Sequence, residues 1–262
     1  MHVTMLMVVR NEADIIGLNL RYHAFCGVSR FIITDHLSND GTPEIIESFA
    51  AEGHDIILLR QTSESFLHSL WMTGMAQKAC ELGTDWVINC DADEFWWADG
   101  GLLSGLSRIP TEFDCIQAWW KNALYSPGEN PMLTVRWVDG GMYKTAFRPH
   151  SGVDISVGSH WVYSSKTPYI PSGFRIYHYT DRSEKNVVQK YSTGMDSLEK
   201  AGYPEWVGNH WKAGRSTLQE KGFNSLIAYA PKDGQEVAVD GNMKHAFQDV
   251  MRVLPYEEGT AQ

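Results

Sequence analysis

At 262 residues, with 43% hydrophobic and 21% charged side chains, the chain has the make-up of a globular protein that can bury a substantial core as one large domain or two small ones. Its net charge of -10 excludes nonspecific attachment to nucleic acid or to an anionic membrane surface, while a phosphate-bearing ligand stays within reach through a divalent cation. Four widely spaced cysteines, Cys26, Cys80, Cys90 and Cys115, form no C-x-x-C pair and read as reduced core residues of a cytoplasmic protein.

The first apolar run, Val3 to Val9, reads as a strand and is too short for a signal peptide or a membrane helix. A helix is expected from about Ala13, with Ile16, Leu20, His23 and Ala24 on one face and Gly27 as its stop. Residues 30–34 form a second strand. Thr42-Pro43-Glu44 then supplies an N-cap, a first-turn proline and a first-turn acid, opening a helix that carries Ile45, Ile46 and Phe49. Residues 55–59 give a third strand, 67–82 a helix ended by Gly83, and 86–90 a fourth strand. Such regular alternation predicts a Rossmann-like, mostly parallel sheet flanked by helices.

Past residue 100 the pattern shifts to shorter, antiparallel strands at 114–120, 133–138, 142–147 and 174–177. C-terminal helices follow. Ser183 caps one that runs to about Lys200, and Thr217 to Glu220 spells a capping box for another. The tail from Pro231 is polar and weakly patterned. With no repeat or linker, residues 1–262 read as a single domain: a nucleotide-binding half at 1–98, an acceptor half at 99–180 and a helical segment at 181–262.

In open parallel sheets ligands bind beyond the carboxyl ends of the strands. Here those ends carry Arg10-Asn11-Glu12, then Asp35 with Asp40 in the following loop, then Arg60, then Asp91-Ala92-Asp93-Glu94. In an extended backbone Asp91 and Asp93 point to the same side, as two groups facing one cation would. Neither G-x-G-x-x-G nor a P-loop motif is present, which argues against a dinucleotide cofactor and a P-loop fold.

Val9-Arg10-Asn11-Glu12, Asp35-His36-Leu37-Ser38-Asn39-Asp40-Gly41-Thr42 and Asp85 through Phe95, in this order, resemble the family 2 type glycosyltransferases, in particular the bacterial branch whose signature ends in D-A-D-E-F. His36 and Leu37 depart from the D-[DN]-G-S-x-D-G-T form of the second loop. The resemblance implies a GT-A fold, a nucleotide-diphosphate sugar donor such as a UDP-linked one, Mn2+ or Mg2+, and transfer to a carbohydrate or glycolipid acceptor in polysaccharide biosynthesis. It implies Asp93 as a direct metal ligand, Asp91 on the metal, its water or the donor ribose, and a late histidine, His178, as a further ligand. His160 is a second candidate, nearer the acceptor.

Arg10, Asn11, Glu12 and Asp35 are expected at the base and ribose, and Asp40 elsewhere in the donor site. Arg60, Lys144, Arg148, Arg182 and Lys190 are cations suited to a diphosphate. An inverting transfer needs an acid beside the acceptor hydroxyl, for which Asp154, Asp139 and Glu94 are the candidates. Trp97 and Trp120 are the tryptophans expected to stack on an acceptor sugar. Two other activities fit less well: sugar-phosphate nucleotidyl transfer, which usually brings a lysine-containing glycine-rich loop absent here, and noncatalytic carbohydrate binding on the same fold.

Overall fold

The computed structural model describes residues 1–125, 130–165, 168–204, 206–222, 225–226 and 236–253. Strands β1 (Val3–Val9), β2 (Arg30–His36), β3 (Ile56–Gln61) and β4 (Trp86–Asn89) pair in parallel in the order β3-β2-β1-β4. Helices α1 (Ile16–Phe25), α2 (Thr42–Ala51) and α3 (His68–Glu81) make the crossovers. Side-chain alternation divides these strands between two cores. Val3, Met5, Met7 and Val9 join Phe31, Ile33, Trp86 and Ile88 on the face covered by α1, while Leu6, Ile32 and Val87 meet Met72, Met75, Ala76 and Ala79 of α3. The chain thus forms the mixed α/β, mostly parallel sheet that its strand and helix periods predict.

Beyond β4 the sheet curls through an extension in the order β7-β6-β8-β5, formed by β5 (Glu94–Ala98), β6 (Cys115–Leu124), β7 (Arg136–Phe147) and β8 (Phe174–His178). Its pairs are antiparallel as expected except β6 and β8, which run parallel because the chain crosses over between them. The short helix α4 (Leu102–Ser107) lies between β5 and β6. The two strands expected at 133–138 and 142–147 are one strand, β7. Its Gly140 is a close approach rather than a turn, since a Cβ there would lie 2.6 Å from the Cβ of Trp120.

The helix expected after Ser183 exists. The Ser183 hydroxyl accepts the Asn186 N–H (3.2 Å) and caps α5 (Glu184–Val188), which continues through a wide π turn at Gln189–Gly194 into α6 (Met195–Lys200). The expected capping box at 217–220 is not a helix start. Those residues lie in the last turns of α7 (Asn209–Lys221), which begins after Gly208. Past the short β9 (Ala238–Val239), the polar-looking tail holds α8 (Asn242–Val253), whose Met243, Phe247 and Val250 complete the core beside α1.

Helix α1 also carries the acidic loop. Residues 19, 22 and 23 share one helical face. Asn19 Nδ2 donates to the carbonyls of Ala92 (2.9 Å) and Glu94 (2.7 Å), the Tyr22 hydroxyl donates to Trp96 O (2.9 Å), and His23 Nε2 accepts the Trp96 N–H (3.1 Å). Burial pushes the His23 imidazole down to about 3, so it stays neutral and can accept. All three side chains are buried, so the loop that bears the carboxylates is fixed from below. Among the described residues, replacing Asn19 with Ala orphans the Ala92 carbonyl and leaves Glu94 O with only the Cys90 thiol (3.2 Å), and it should cost about 2–3 kcal/mol, at roughly 1–3 kcal/mol per unmade bond. Urea unfolding measures this, and a loss under about 1 kcal/mol would contradict the pinning.

Candidate active site

A cleft of about 1110 Å3 opens where β1, β4 and β8 end, lined on its inner wall by Arg10, Asn11, Glu12, Asp91, Asp93 and His178. Strand pairing brings its central pair together. Glu94 stands opposite His178 in the β5–β8 register, and the Tyr179 N–H donates to Asp93 O (2.9 Å). Asp93 Oδ2 therefore lies 3.5 Å from His178 Nε2. On the other side of β8, the Asn122 amide oxygen accepts from His178 Nδ1 (2.9 Å), which turns Nε2 toward Asp93. Trp120 packs over the imidazole with ring centroids 4.4 Å apart.

The strongest charge organiser is Arg182, just before α5. Its side chain is 4% exposed and meets Glu12 Oε2 (2.6 Å) and both oxygens of Asp14 (2.9 and 3.0 Å), with Asp93 Oδ2 at 3.5 Å. Its remaining N–H donates to Tyr179 O (2.9 Å). Burial would raise the Asp93 carboxyl, but His178, Arg182 and Lys190 outweigh it and hold the group well below the usual carboxylate range. Glu12 goes the other way. Its burial, reinforced by Asp93 and Asp14 and opposed by Arg182, raises it to about 8.

The acidic tetrad splits into different environments. Asp91 Oδ2 accepts from Lys144 Nζ (2.6 Å), and the Asp91 N–H donates to Glu94 Oε2 (2.8 Å). Glu94 is fully buried, with Oε1 3.6 Å from the same lysine, and burial raises its carboxyl well above the ordinary range. Burial would lower Lys144, but Asp91 and Glu94 hold it above its usual value. The expected Asp91, Asp93 and His178 trio does not converge: among the described residues no group of three or more His, Cys, Asp or Glu is placed to share a cation. Asp91 is drawn away by Lys144. Asp93 with His178 still forms an oxygen and nitrogen pair that fits a transition ion whose other positions are filled by phosphate and water.

The other expected residues divide plainly. Asn11, at φ 55, takes the Asn39 N–H on its Oδ1 (2.8 Å) and lines the cleft with Arg10. Asp35 is buried, with Oδ2 accepting the Ser38 N–H (3.4 Å) and Oδ1 lacking a partner among the described residues. Asp40 faces inward as a latch, taking the Thr42 N–H and hydroxyl on Oδ1 and the Ala13 N–H on Oδ2. Arg60 is exposed and paired with Glu47 (2.7 Å). Arg148 stacks over the Trp86 ring at 4.4 Å and donates to the carbonyls of Phe113 and Ile109, so it braces the fold.

None of the three expected bases opens on the cleft. Glu94 is sealed, exposed Asp139 pairs with Lys121, and Asp154 sits in an exposed loop outside the lining. Trp97 is likewise outside it, while Trp120 is inside. Residues that the motifs did not single out also line the cleft: His68, Tyr143, Trp206 and His210. Their only sequence signal is an abundance of histidine and tryptophan.

The curled, mostly parallel sheet with flanking helices and a polar cleft at its strand ends is a GT-A fold. The chain belongs to glycosyl transferase family 2, whose sequence model matches residues 6–167, and it is a glycosyltransferase. No curated protein sequence matches it. Solved structures similar to it include residues 1-349 of S. aureus TarS, at 10% identity over 86% of this chain and 74% of that one, with a TM-score of 0.48. The mannosyltransferase PcManGT from Pyrobaculum calidifontis, in complex with GDP-Man and Mn2+, is 13% identical over 98% of this chain and 88% of that one, with a TM-score of 0.43. Glucosyl-3-phosphoglycerate synthase from Mycobacterium tuberculosis, with Mn2+, UDP and phosphoglyceric acid, is 14% identical over 45% and 43%, with a TM-score of 0.31.

Removing the Arg182 charge leaves Asp93 and part-buried Glu12 without their cation while exposed Asp14 falls back on water, so Arg182→Met should lower stability by about 1–3 kcal/mol, less than the cost of breaking a fully buried ion pair from one side. Arg182→Lys should recover only part, because an ammonium cannot reproduce the fork that grips Glu12 and Asp14. Denaturant midpoints check both. A Met variant as stable as the parent would show that the cluster carries no net stabilisation.

Proposed function

We propose that the cleft binds a nucleotide-diphosphate sugar together with Mn2+ or Mg2+ and that the chain, acting as one domain, moves the sugar to a carbohydrate or glycolipid acceptor. The observation that carries this is the Asp93 and His178 pair, 3.5 Å apart at the cleft wall and held ready by Asn122. These two side chains would hold the cation. When bound, it would neutralise the negative charge that builds on the departing diphosphate.

The chain's own groups have separable tasks. Arg10 and Asn11, on the β1 loop at the cleft wall, suit the nucleoside base. Asp35, outside the lining, keeps a buried Oδ1 without a partner among the described residues, which a base N–H would satisfy if it reached that far. Lys144 holds Asp91 against the tetrad loop, leaving that carboxylate half exposed for the donor ribose or a metal-bound water. Lys190, in the π turn, donates to Thr180 (2.9 Å) and reaches Asp181 (3.4 Å), a cation on the cleft wall suited to a phosphate. No helix of the described residues is long and apolar enough to cross a membrane. Together with four unpaired cysteines, this supports work at the cytoplasmic side, with peripheral membrane contact where the acceptor is a glycolipid.

The test is nucleotide release from a panel of UDP-linked and GDP-linked sugars with and without Mn2+. Metal-dependent release from one of them is expected, and Asp93→Asn should abolish Mn2+-dependent donor binding, read by calorimetry, while the protein stays folded. No release from any donor, with no donor raising the melting temperature, would contradict the proposal.

A further inference from the structure

Among the described residues, the cleft has no carboxylate left without a cationic or histidine neighbour. Glu12 is gripped by Arg182 and Asp91 by Lys144, Asp93 faces His178, and Glu94, Asp139 and Asp154 stand outside the lining. Of the described histidines that line the cleft, His160 is the one whose ring is fixed with a free, unsealed nitrogen by the backbone around it. His160 Nδ1 donates to the Tyr143 carbonyl (2.6 Å), and since a carbonyl can only accept, this fixes the proton on Nδ1 and leaves the lone pair on Nε2. Nε2 has no hydrogen-bond partner among the described residues and is not among their sealed polar atoms.

The loop that presents this ring is strained. Gly158 has φ 74 and Ser159, which is not glycine, has φ 57. A Cβ on Gly158 would lie 2.7 Å from His160 Nε2, so only glycine leaves room for the imidazole. The strained turn is tied to the acidic strand by a buried relay in which Asn89 donates to the Thr145 hydroxyl (2.8 Å) and that hydroxyl donates to Ser159 O (3.1 Å). Trp120 stands against both His178 and His160, its centroid 4.4 Å from that of His178 and 5.7 Å from that of His160. On the outer side, half-exposed Trp161 and exposed Trp206 supply flat apolar surface suited to a sugar ring.

We propose that His160 is the base that takes the proton from the acceptor hydroxyl in the transfer described above. This rests on the donor and cation lying at Asp93 and His178. As the acceptor oxygen forms its bond to the anomeric carbon, the carbon's bond to the diphosphate oxygen breaks, its electron pair leaves with the nucleotide, and the hydroxyl proton passes to His160 Nε2. The imidazolium then gives that proton to solvent. Attack from the side opposite the leaving group inverts the anomeric centre. Burial and the charge of Lys144 push the imidazole down to about 4, the range of an ordinary carboxylate, so the ring is neutral at pH 7 and ready to accept.

The experiment measures nucleoside diphosphate release with Mn2+ from the UDP-linked and GDP-linked sugar panel, with methyl pyranosides as acceptor probes, for the parent, His160→Ala and His160→Asn. The Asn side chain keeps a donor for the Tyr143 carbonyl and so separates folding from chemistry. Both variants should lose acceptor-stimulated turnover by about 100-fold or more while donor KM stays within about threefold, the range of a lost general base. Added imidazole should restore His160→Ala but not the parent rate, and the product should show inverted stereochemistry. Acceptor-stimulated turnover within about threefold of the parent in folded His160→Asn, or a loss in His160→Ala that imidazole does not restore, would overturn the assignment. A parent enzyme that releases no nucleotide from any donor would overturn the donor proposal and this one with it.

Discussion

The site depends on one buried guanidinium. Arg182 reaches across from the start of α5 to Glu12 and Asp14, which lie 170 and 168 residues earlier in the chain, and touches Asp93 with its third nitrogen. Desolvating an arginine is costly unless each donor is met, and here carboxylates and a backbone carbonyl meet them. The same contact neutralises acids that would otherwise repel one another around the cleft. The β1 loop, the acidic loop and the C-terminal helices are thereby locked into one arrangement before any ligand arrives.

A second cation divides the labour within the acidic tetrad. Lys144 draws Asp91 to itself and stays beside sealed Glu94, while Ala92 O is held by Asn19 and Asp93 is left facing His178. One short acidic run thus yields a tethered carboxylate, a backbone anchor, a cleft-facing carboxylate and an internal brace. The alternation of a strand would have put Asp91 and Asp93 on one cation. The turn between β4 and β5, with each carboxylate claimed by a different cation, separates them instead.

Much of the parallel half was legible because its signals are local. Strand periods from Val3 and Arg30, the Thr42-Pro43-Glu44 helix start and the glycine stops need no tertiary information, and the polar strand ends pointed to the rim where the cleft opens. What escaped depends on partners far away. β5 was hidden because Glu94, the last acid of a motif, is also the first residue of a buried strand paired with β8. Arg148 has the look of a phosphate ligand beside Lys144, but it lies one residue past the end of β7 and packs on Trp86. α8 is obscured by the polar stretch before it, although Met243, Phe247 and Val250 stand at helical spacing, and they complete the core beside α1. Asp40 was legible as part of a conspicuous loop, whereas its inward role as a latch for Ala13 and Thr42 appears only when the two loops meet.

The central claim is that Arg182 takes Glu12 and Asp14 out of play so that Asp93 and His178 remain to hold the cation. A crystal structure grown with Mn2+ and a nucleoside diphosphate, with anomalous scattering recorded for manganese, tests it most directly. The account predicts a manganese peak bonded to Asp93 and His178, with Arg182 still on Glu12 and Asp14 and Lys144 still on Asp91. A peak held by Asp91 or Glu12, or manganese found away from His178, would contradict it.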